Sequence, residues 1–439
     1  IDVKGQDQPF SLKINSITLN FYESGVGVLA FHLENHETPD FNKILKINDY
    51  GRRIYPQYLG GFSDEQSTDA EGKPAPNLLN SPQYSFLPLS IQLDDVAPKT
   101  DRTQPETQAI TENFSHYATR AGIAEAPFVL PAHISRLLGD GFKTRFQQKN
   151  NGDIVVSPVL DDRMFLLCFV FNDQLAAAFK QYDEPTDAYA WENHDDWYRF
   201  IFVDGDVKPT IDSRSMKRAL IRQSSYDRWV ESHLFGVTRY SFVVLTTDTW
   251  FTRNIVFRHF SNQYFQMALL TLIQRASILS FSAEAAWISD HLPRATGLRA
   301  RTINNIADLY LSYTKFIQKI YFREVTPQEQ GIELYDLLQD RLTIKNNVED
   351  LGREMGELNQ FVEAQQQRSI SWITYVLLPI SLILSFFGLN YFGGENPMYV
   401  QPGRTNAWGS PELWSVCLIA FFCFAAVFIL SRPRWLKRS

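Results

Sequence analysis

The segment SWITYVLLPISLILSFFGLNYF, residues 371–392, is apolar and carries no charged side chain. A second such run, LWSVCLIAFFCFAAVFIL, follows at 413–430. A helix needs roughly 20 apolar residues to cross a hydrocarbon core, so each run predicts a membrane span. The stretch between them, 393–412, is too short to fold as a domain. The tail 431–439 holds Arg432, Arg434, Lys437 and Arg438, and Arg368 precedes the first run. The intervening loop holds one base, Arg404, and two acids, Glu395 and Glu412. Basic residues stay on the cytosolic side, which predicts two cytosolic termini and an external loop. The competing reading is a buried helical hairpin.

About 370 residues precede these runs, enough for one elaborate domain or two smaller ones. The first ten, IDVKGQDQPF, are polar and lack the apolar stretch of a secretory leader. Leu12 and Ile14, then Ile17, Leu19 and Phe21, alternate with polar residues, turn through 23–27 and return along 28–33, which predicts a hairpin. Pro39-Asp40 then predicts the start of a helix through Phe41, Ile44, Leu45 and Ile47. Residues 60–113 are rich in Pro, Gly, Ser and Asp and predict a long, partly disordered loop. From 154 the β pattern returns, with strands expected at 154–160, 164–171, 198–203 and 237–245 and a helix over 214–230. The expectation is a mixed α/β domain over 1–253.

Beyond Thr252 the pattern is helical, giving a helical and stalk region over 254–370. Helices are expected at 254–287 and 298–321. Ile344, Val348, Leu351, Met355, Leu358 and Val362 step by 4-3-4-3-4, a heptad seam. With Leu334 and Leu337 extending it backwards, a stalk helix is expected to run unbroken over 327–392. The seam can serve a homo-oligomer around an axis, or it can pack against helix 298–321 of the same chain.

Within 371–392 a polar stripe stands out. Ser371, Thr374, Leu378, Ser381 and Ser385 step by 3-4-3-4, and four of the five carry hydroxyls. A hydroxyl stripe on an apolar helix should face protein or water. It reads either as a pore lining with Leu378 at the constriction or as close helix packing by small residues. Pro379 offers a kink. The segment closes on Gly388-Leu389-Asn390. A long helix entering a first span, this Gly-hydrophobe-Asn triplet, a short acidic loop, a second span and a basic tail resemble the CorA family of divalent-cation channels, whose triplet is Gly-Met-Asn. The resemblance implies a funnel-shaped homopentamer in the bacterial inner membrane. In it Asn390 amides would meet a hydrated divalent cation such as Mg2+ at the pore mouth, with Gly388 allowing close approach. Leu389 in place of Met departs from the pattern. A plain helix cap is the other reading of Asn390.

Two cytosolic stretches, Phe41 to Leu59, ending NDYGRRIYPQYL, and His259 to Ser282, HFSNQYFQMALLTLIQRASILSFS, resemble a narrower group: the CorA-like membrane effectors of type III CRISPR systems. That resemblance implies gating by a nucleotide second messenger made from S-adenosylmethionine and ATP. Arg52 and Arg53 follow a helix end, with Tyr50, Tyr55 and Tyr58 nearby, and can grip a phosphate and stack a base. Arg214, Lys217, Arg218 and Arg222 form a second basic face. For both sets the alternative is a salt-bridged surface.

The net charge of −7 argues against direct nucleic-acid binding, and the mean hydropathy of −0.22 is not that of a polytopic transporter. Three cysteines, Cys168, Cys417 and Cys423, form no framework. There is no Gly-rich phosphate loop and no nucleophile–base pair, so no enzyme is expected. The fold class expected is an α+β membrane protein with a cytosolic mixed α/β domain, a stalk and two C-terminal spans. The function expected is a gated cation channel of antiviral defence. The alternatives are a regulated transporter for Mg2+ or another divalent metal, and a membrane anchor presenting a binding module.

Overall fold

A computed structural model describes residues 9–54, 90–94, 109–113, 130–139, 141–143, 152–160, 163–205, 208–229, 233–290 and 300–388. The chain forms two compact units. One comprises Ile1–Ser280 with Lys315–Glu349, the other Phe281–Thr314 with Asp350–Ser439.

The chain opens with strands β1 (Lys13–Phe21) and β2 (Gly27–Glu34), an antiparallel ribbon, as its alternation predicts. Helix α1 (Phe41–Gly51) follows, its first turn capped by Asp40, which accepts from the backbone N–H of Asn42 at 2.9 Å. Within the expected long loop, β3 (Ser90–Leu93) and β4 (Ile110–Asn113) pair antiparallel. Helix α2 (Ala132–Leu138) and the two-residue strands β5 (Phe142–Lys143) and β6 (Ile154–Val155) lead to β7 (Leu166–Phe171).

After β7 come α3 (Asp173–Phe179), the short ribbon β8 (Tyr182–Asp183) and β9 (Ala188–Tyr189), α4 (Asp195–Phe202) and α5 (Arg214–Ser224). Strands β10 (Ser225–Tyr226), β11 (His233–Val237) and β12 (Ser241–Thr246) complete the central sheet, ordered β10-β11-β12-β7. Only the β12–β7 pair of this sheet is parallel. The segment 198–203, expected as a strand, is helical. Its residues Tyr198, Phe200, Ile201 and Val203 are all buried, as is Trp197 just before them, so a largely apolar run read as strand is here a helix sunk into the core.

Every residue of β12 is buried. Val243 and Leu245 face one core with Leu45 of α1, Phe179 of α3, Trp197, Phe200 and Ile201 of α4 and Ile221 of α5. Phe242 and Val244 face the other, with Phe235 and Val237 of β11, Val256, Phe260, Tyr264, Met267, Leu334, Tyr335 and Leu338. The sheet is thus a middle layer between helices, which explains why its central strands read as unbroken apolar runs. At Gly236 a Cβ would lie 2.3 Å from the Ile201 side chain, so α4 packs on β11 as closely as glycine permits.

The helical part begins with π-helical turns Thr252–Val256 and Phe260–Tyr264 around α6 (Phe257–His259), then α7 (Phe265–Asp290), α8 (Ala300–Lys319), α9 (Glu329–Arg341) and α10 (Ile344–Gly388). The stalk expected to run unbroken from 327 is two helices. Thr343, with φ of 56°, turns the chain between α9 and α10. The seam residues Ile344, Val348, Leu351, Met355 and Val362 are buried by the chain's own atoms. Beside them the Tyr313 hydroxyl of α8 stands 2.9 Å from where a Cβ at Gly352 would be, so α8 lies against α10.

The expected membrane-spanning architecture is overturned. Among the described residues no helix is long and apolar enough to cross a membrane. The opening turns of α10 expose Lys345, Glu349, Asp350, Arg353, Glu354 and Glu357 around the buried seam, the pattern of a helix packed along one stripe. The readings built on two spans, a membrane protein, an ion channel and a funnel of axial helices, are corrected with it. What the described residues form is a mixed α/β sheet layered with helices, and further helices after it. The stretches 393–412, 413–430 and 431–439 lie outside the described residues.

A buried polar knot closes the helical side. Gln274 of α7 donates to the Ile320 carbonyl at 3.0 Å and reaches the Tyr335 hydroxyl of α9 at 3.0 Å. Tyr335 donates to the Phe322 carbonyl at 2.8 Å, and Gln339 to the same carbonyl at 3.2 Å. These side chains tie carbonyls of the segment that follows α8 to α7 and α9. Tyr335→Phe should lower unfolding free energy by about 1–3 kcal/mol. Gln274→Leu should cost a similar amount, and the double variant should cost less than the sum. Urea denaturation of the three variants measures this, and strict additivity would refute a shared knot.

His233, on β11, is buried beside Phe251, and neither ring nitrogen has a hydrogen-bond partner. Burial, with Lys180 adding a smaller repulsion, pushes its pKa down to about 4, against 6.5 in an unfolded chain. The folded state therefore holds fewer protons than the unfolded one between these values. Its stabilising share is complete above pH 6.5 and is lost as pH falls toward 4, by up to about 1.4 kcal/mol per pH unit. His233→Leu should flatten the acid limb of stability against pH, measured by urea midpoints from pH 7 to 4.5.

Candidate ligand-binding site

Three chain segments meet at the amino ends of the parallel strands. The Arg52 carbonyl accepts from the Met164 N–H at 2.7 Å, Arg53 and Arg163 form an antiparallel bridge, and the Tyr240 carbonyl accepts from the Leu166 N–H at 2.9 Å. This stitching brings together the end of α1, the lead into β7 and the β11–β12 turn. The turn is itself tied to α4, since the Thr238 hydroxyl donates to the Ile201 carbonyl at 2.9 Å and the Ser241 hydroxyl donates to the same oxygen.

The side chains at this junction are basic and aromatic. Arg52 and Arg53 are buried, at 5% and 9% exposure. The Arg52 guanidinium lies 5.6 Å from the centroid of the Tyr240 ring and that of Arg163 lies 5.2 Å from it. Two cations thus converge on one π face system, a placement worth about 0.5–2 kcal/mol per cation depending on desolvation. Asp49, also buried, receives Arg53 at 2.8 Å and stands 3.9 Å from Arg52. All three lie in or just after the last turn of α1, at i, i+3 and i+4, which puts them on one face. Nearby, Asn48 donates to the Cys168 sulfur at 3.4 Å. Burial pushes that thiol up to about 11, which fits a packing role and not a reactive one.

Arg52 and Arg53, expected from sequence to act together, both face Asp49, Arg53 the more closely, and Arg52 also lies over the Tyr240 ring. Tyr55 lies outside the described residues. Arg163 and Tyr240 were not legible as site residues, because nothing local in MFLLCFVF or its lead-in marks Arg163. Only the β7–β12 register carries them to Arg52.

The second basic face resolves differently. Arg218 and Arg222 of α5 both reach Glu192, Arg218 at 3.5 Å, and Lys217 reaches Asp195 at 2.5 Å. Burial pushes Glu192 upward, but hydrogen bonds from Arg222 and the Tyr189 N–H, with the charges of Arg222 and Arg218, more than offset it and hold its pKa below the ordinary value. Arg214 is exposed at the start of the helix. This face is the salt-bridged surface of the two readings left open. His194, in the acidic run beside it, caps α4 by accepting the Asp196 N–H at 3.2 Å.

Of the hydroxyl stripe, Ser371, Thr374 and Ser381 are exposed along α10, with Leu377 exposed between them. Leu378 and Ser385 belong to the same helix, which ends at Gly388, but the side chains of Leu378 and Ser385 lie outside those described, as do Leu389 and Asn390 altogether. Among the described residues no group of three His, Cys, Asp or Glu side chains could hold a metal ion. No family profile, curated protein or solved structure matches the chain.

Glu192→Gln leaves Arg218 and Arg222 without their shared carboxylate. Because both arginines are partly solvated, the expected loss is about 1–2 kcal/mol, below that of a fully buried pair. Thermal melting checks it, and an unchanged midpoint would remove Glu192 as the clamp of α5.

Proposed function

We propose that this chain is a nucleotide-responsive effector of the kind associated with type III CRISPR systems. In this reading the α/β unit senses an adenine nucleotide made from S-adenosylmethionine and ATP. The observation that supports it is the convergence of Arg52 and Arg163 on Tyr240. A guanidinium offers paired donors to phosphate oxygens. Two such groups held against one ring bring two guanidiniums of distant segments to one aromatic face. The tyrosine ring offers a flat apolar surface suited to a base or to the arginines that grip its phosphate. The site is built from the backbone of three segments, so anything bound there touches α1, the β7 lead and the β11–β12 turn at once. A ligand shifts a conformational equilibrium only by its difference in affinity for the two states. A junction of three segments is a place where such a difference can arise.

Calorimetry of the purified chain with that nucleotide tests the reading. Arg52→Ala and Arg163→Ala should each weaken binding by on the order of 2–5 kcal/mol if the contact is desolvated. Arg214→Ala, on the exposed end of α5, should leave it unchanged. Wild-type affinity in both arginine variants would rule out this site.

A further inference from the structure

Resting on the site proposed above, we infer that Asp49 is a resident anion of this seat and that a ligand phosphate binds by displacing it. Asp49 lies in the last turn of α1, where the helix dipole disfavours a carboxylate. Its placement there is therefore owed to its partners and not to the helix. One oxygen, Oδ1, faces both guanidinium groups, 2.8 Å from Arg53 and 3.9 Å from Arg52. A phosphate oxygen would take that same position to bridge two arginines.

The far side of the carboxylate is closed by Gly205. A Cβ there would lie 3.0 Å from both the Cβ and Oδ2 of Asp49, so the absence of a side chain at 205 leaves the acid just enough room. Gly205 follows the left-handed Val203 that ends α4. Asp49 thus sits between the two arginines and the end of α4. With Arg52 and Arg53 buried, an incoming phosphate cannot simply add to the cluster. It must exchange with the carboxylate, which then moves out from under Gly205. Exchange favours a group with more charge and more acceptor oxygens than a carboxylate, as phosphate has. Asp49 therefore sets a threshold: weakly charged anions do not dislodge it, and phosphate-bearing nucleotides do. Its release is also the step that transmits occupancy to α1 and to the end of α4.

The test is titration calorimetry of the full chain with ATP and with inorganic pyrophosphate, on wild type, Asp49→Asn and Gly205→Ala. Asp49→Asn keeps the shape and removes the competing charge, so both probes should bind at least tenfold tighter. Gly205→Ala crowds the carboxylate and should tighten binding in the same direction, and it carries the test if Asp49→Asn does not fold. Adding Arg52→Ala to the tighter variant should abolish the gain. Equal or weaker binding in the folded variants, with wild type still binding, overturns the displacement role and makes Asp49 a positioning residue while leaving the site itself intact. Absence of binding of either probe to wild type and to every folded variant overturns the site as well.

Discussion

Strand β12 is the member on which the architecture depends. Its residues alternate between two cores, with Val243 and Leu245 on one side and Phe242 and Val244 on the other. Burying apolar surface at about 25 cal/mol per Å² makes such a strand a strong organiser, and it serves two layers of helices at once. Its parallel partner β7 and antiparallel partner β11 flank it. The turn that begins it carries Tyr240 to the arginines. The site is in this sense a by-product of how β12 enters the sheet.

The chain handles its buried and half-buried charges in two ways. On α5 the arginines are answered by a carboxylate that is itself buried, and the result is a clamp between helices. At the end of α1 the arginines share one carboxylate while two guanidiniums also lean on a tyrosine. Buried ion pairs contribute little net stability once desolvation is counted, although breaking one is costly. The α5 clamp fits a structural role. The α1 cluster places basic groups of two distant segments around one ring, which a helix clamp does not need.

Much of this was legible in sequence where the physics is local. The β1–β2 alternation, the Asp40 cap and the seam from Ile344 to Val362 each follow from the chain's own period. The seam's partner was not, because a heptad stripe states that a face is buried and not which helix covers it. The segment 198–203 misled for a similar reason: a run buried on nearly every side has no period, so strand and helix look alike. The apolar run at 371–392 was read from its hydropathy alone. Of the site, Arg52 and Arg53 were legible as adjacent bases after a helix end. Arg163 and Tyr240 were not, because their nearness is created by strand register across widely separated segments.

The parallel pairing of β7 with β12 has a consequence for how the chain reaches this state. Ser241 meets Leu166 only after α3, α4, α5 and β11 have been accommodated between them. The second face of β12 is sealed later still, by α9 residues Leu334, Tyr335 and Leu338. During synthesis β12 therefore leaves the ribosome as a strand apolar on both faces while the helix that covers one of them is still unmade. Long-range closure of this kind slows folding and lengthens the time that sticky surface is exposed. The layered sheet that organises the finished protein is also the element that most needs protection while the chain is being made.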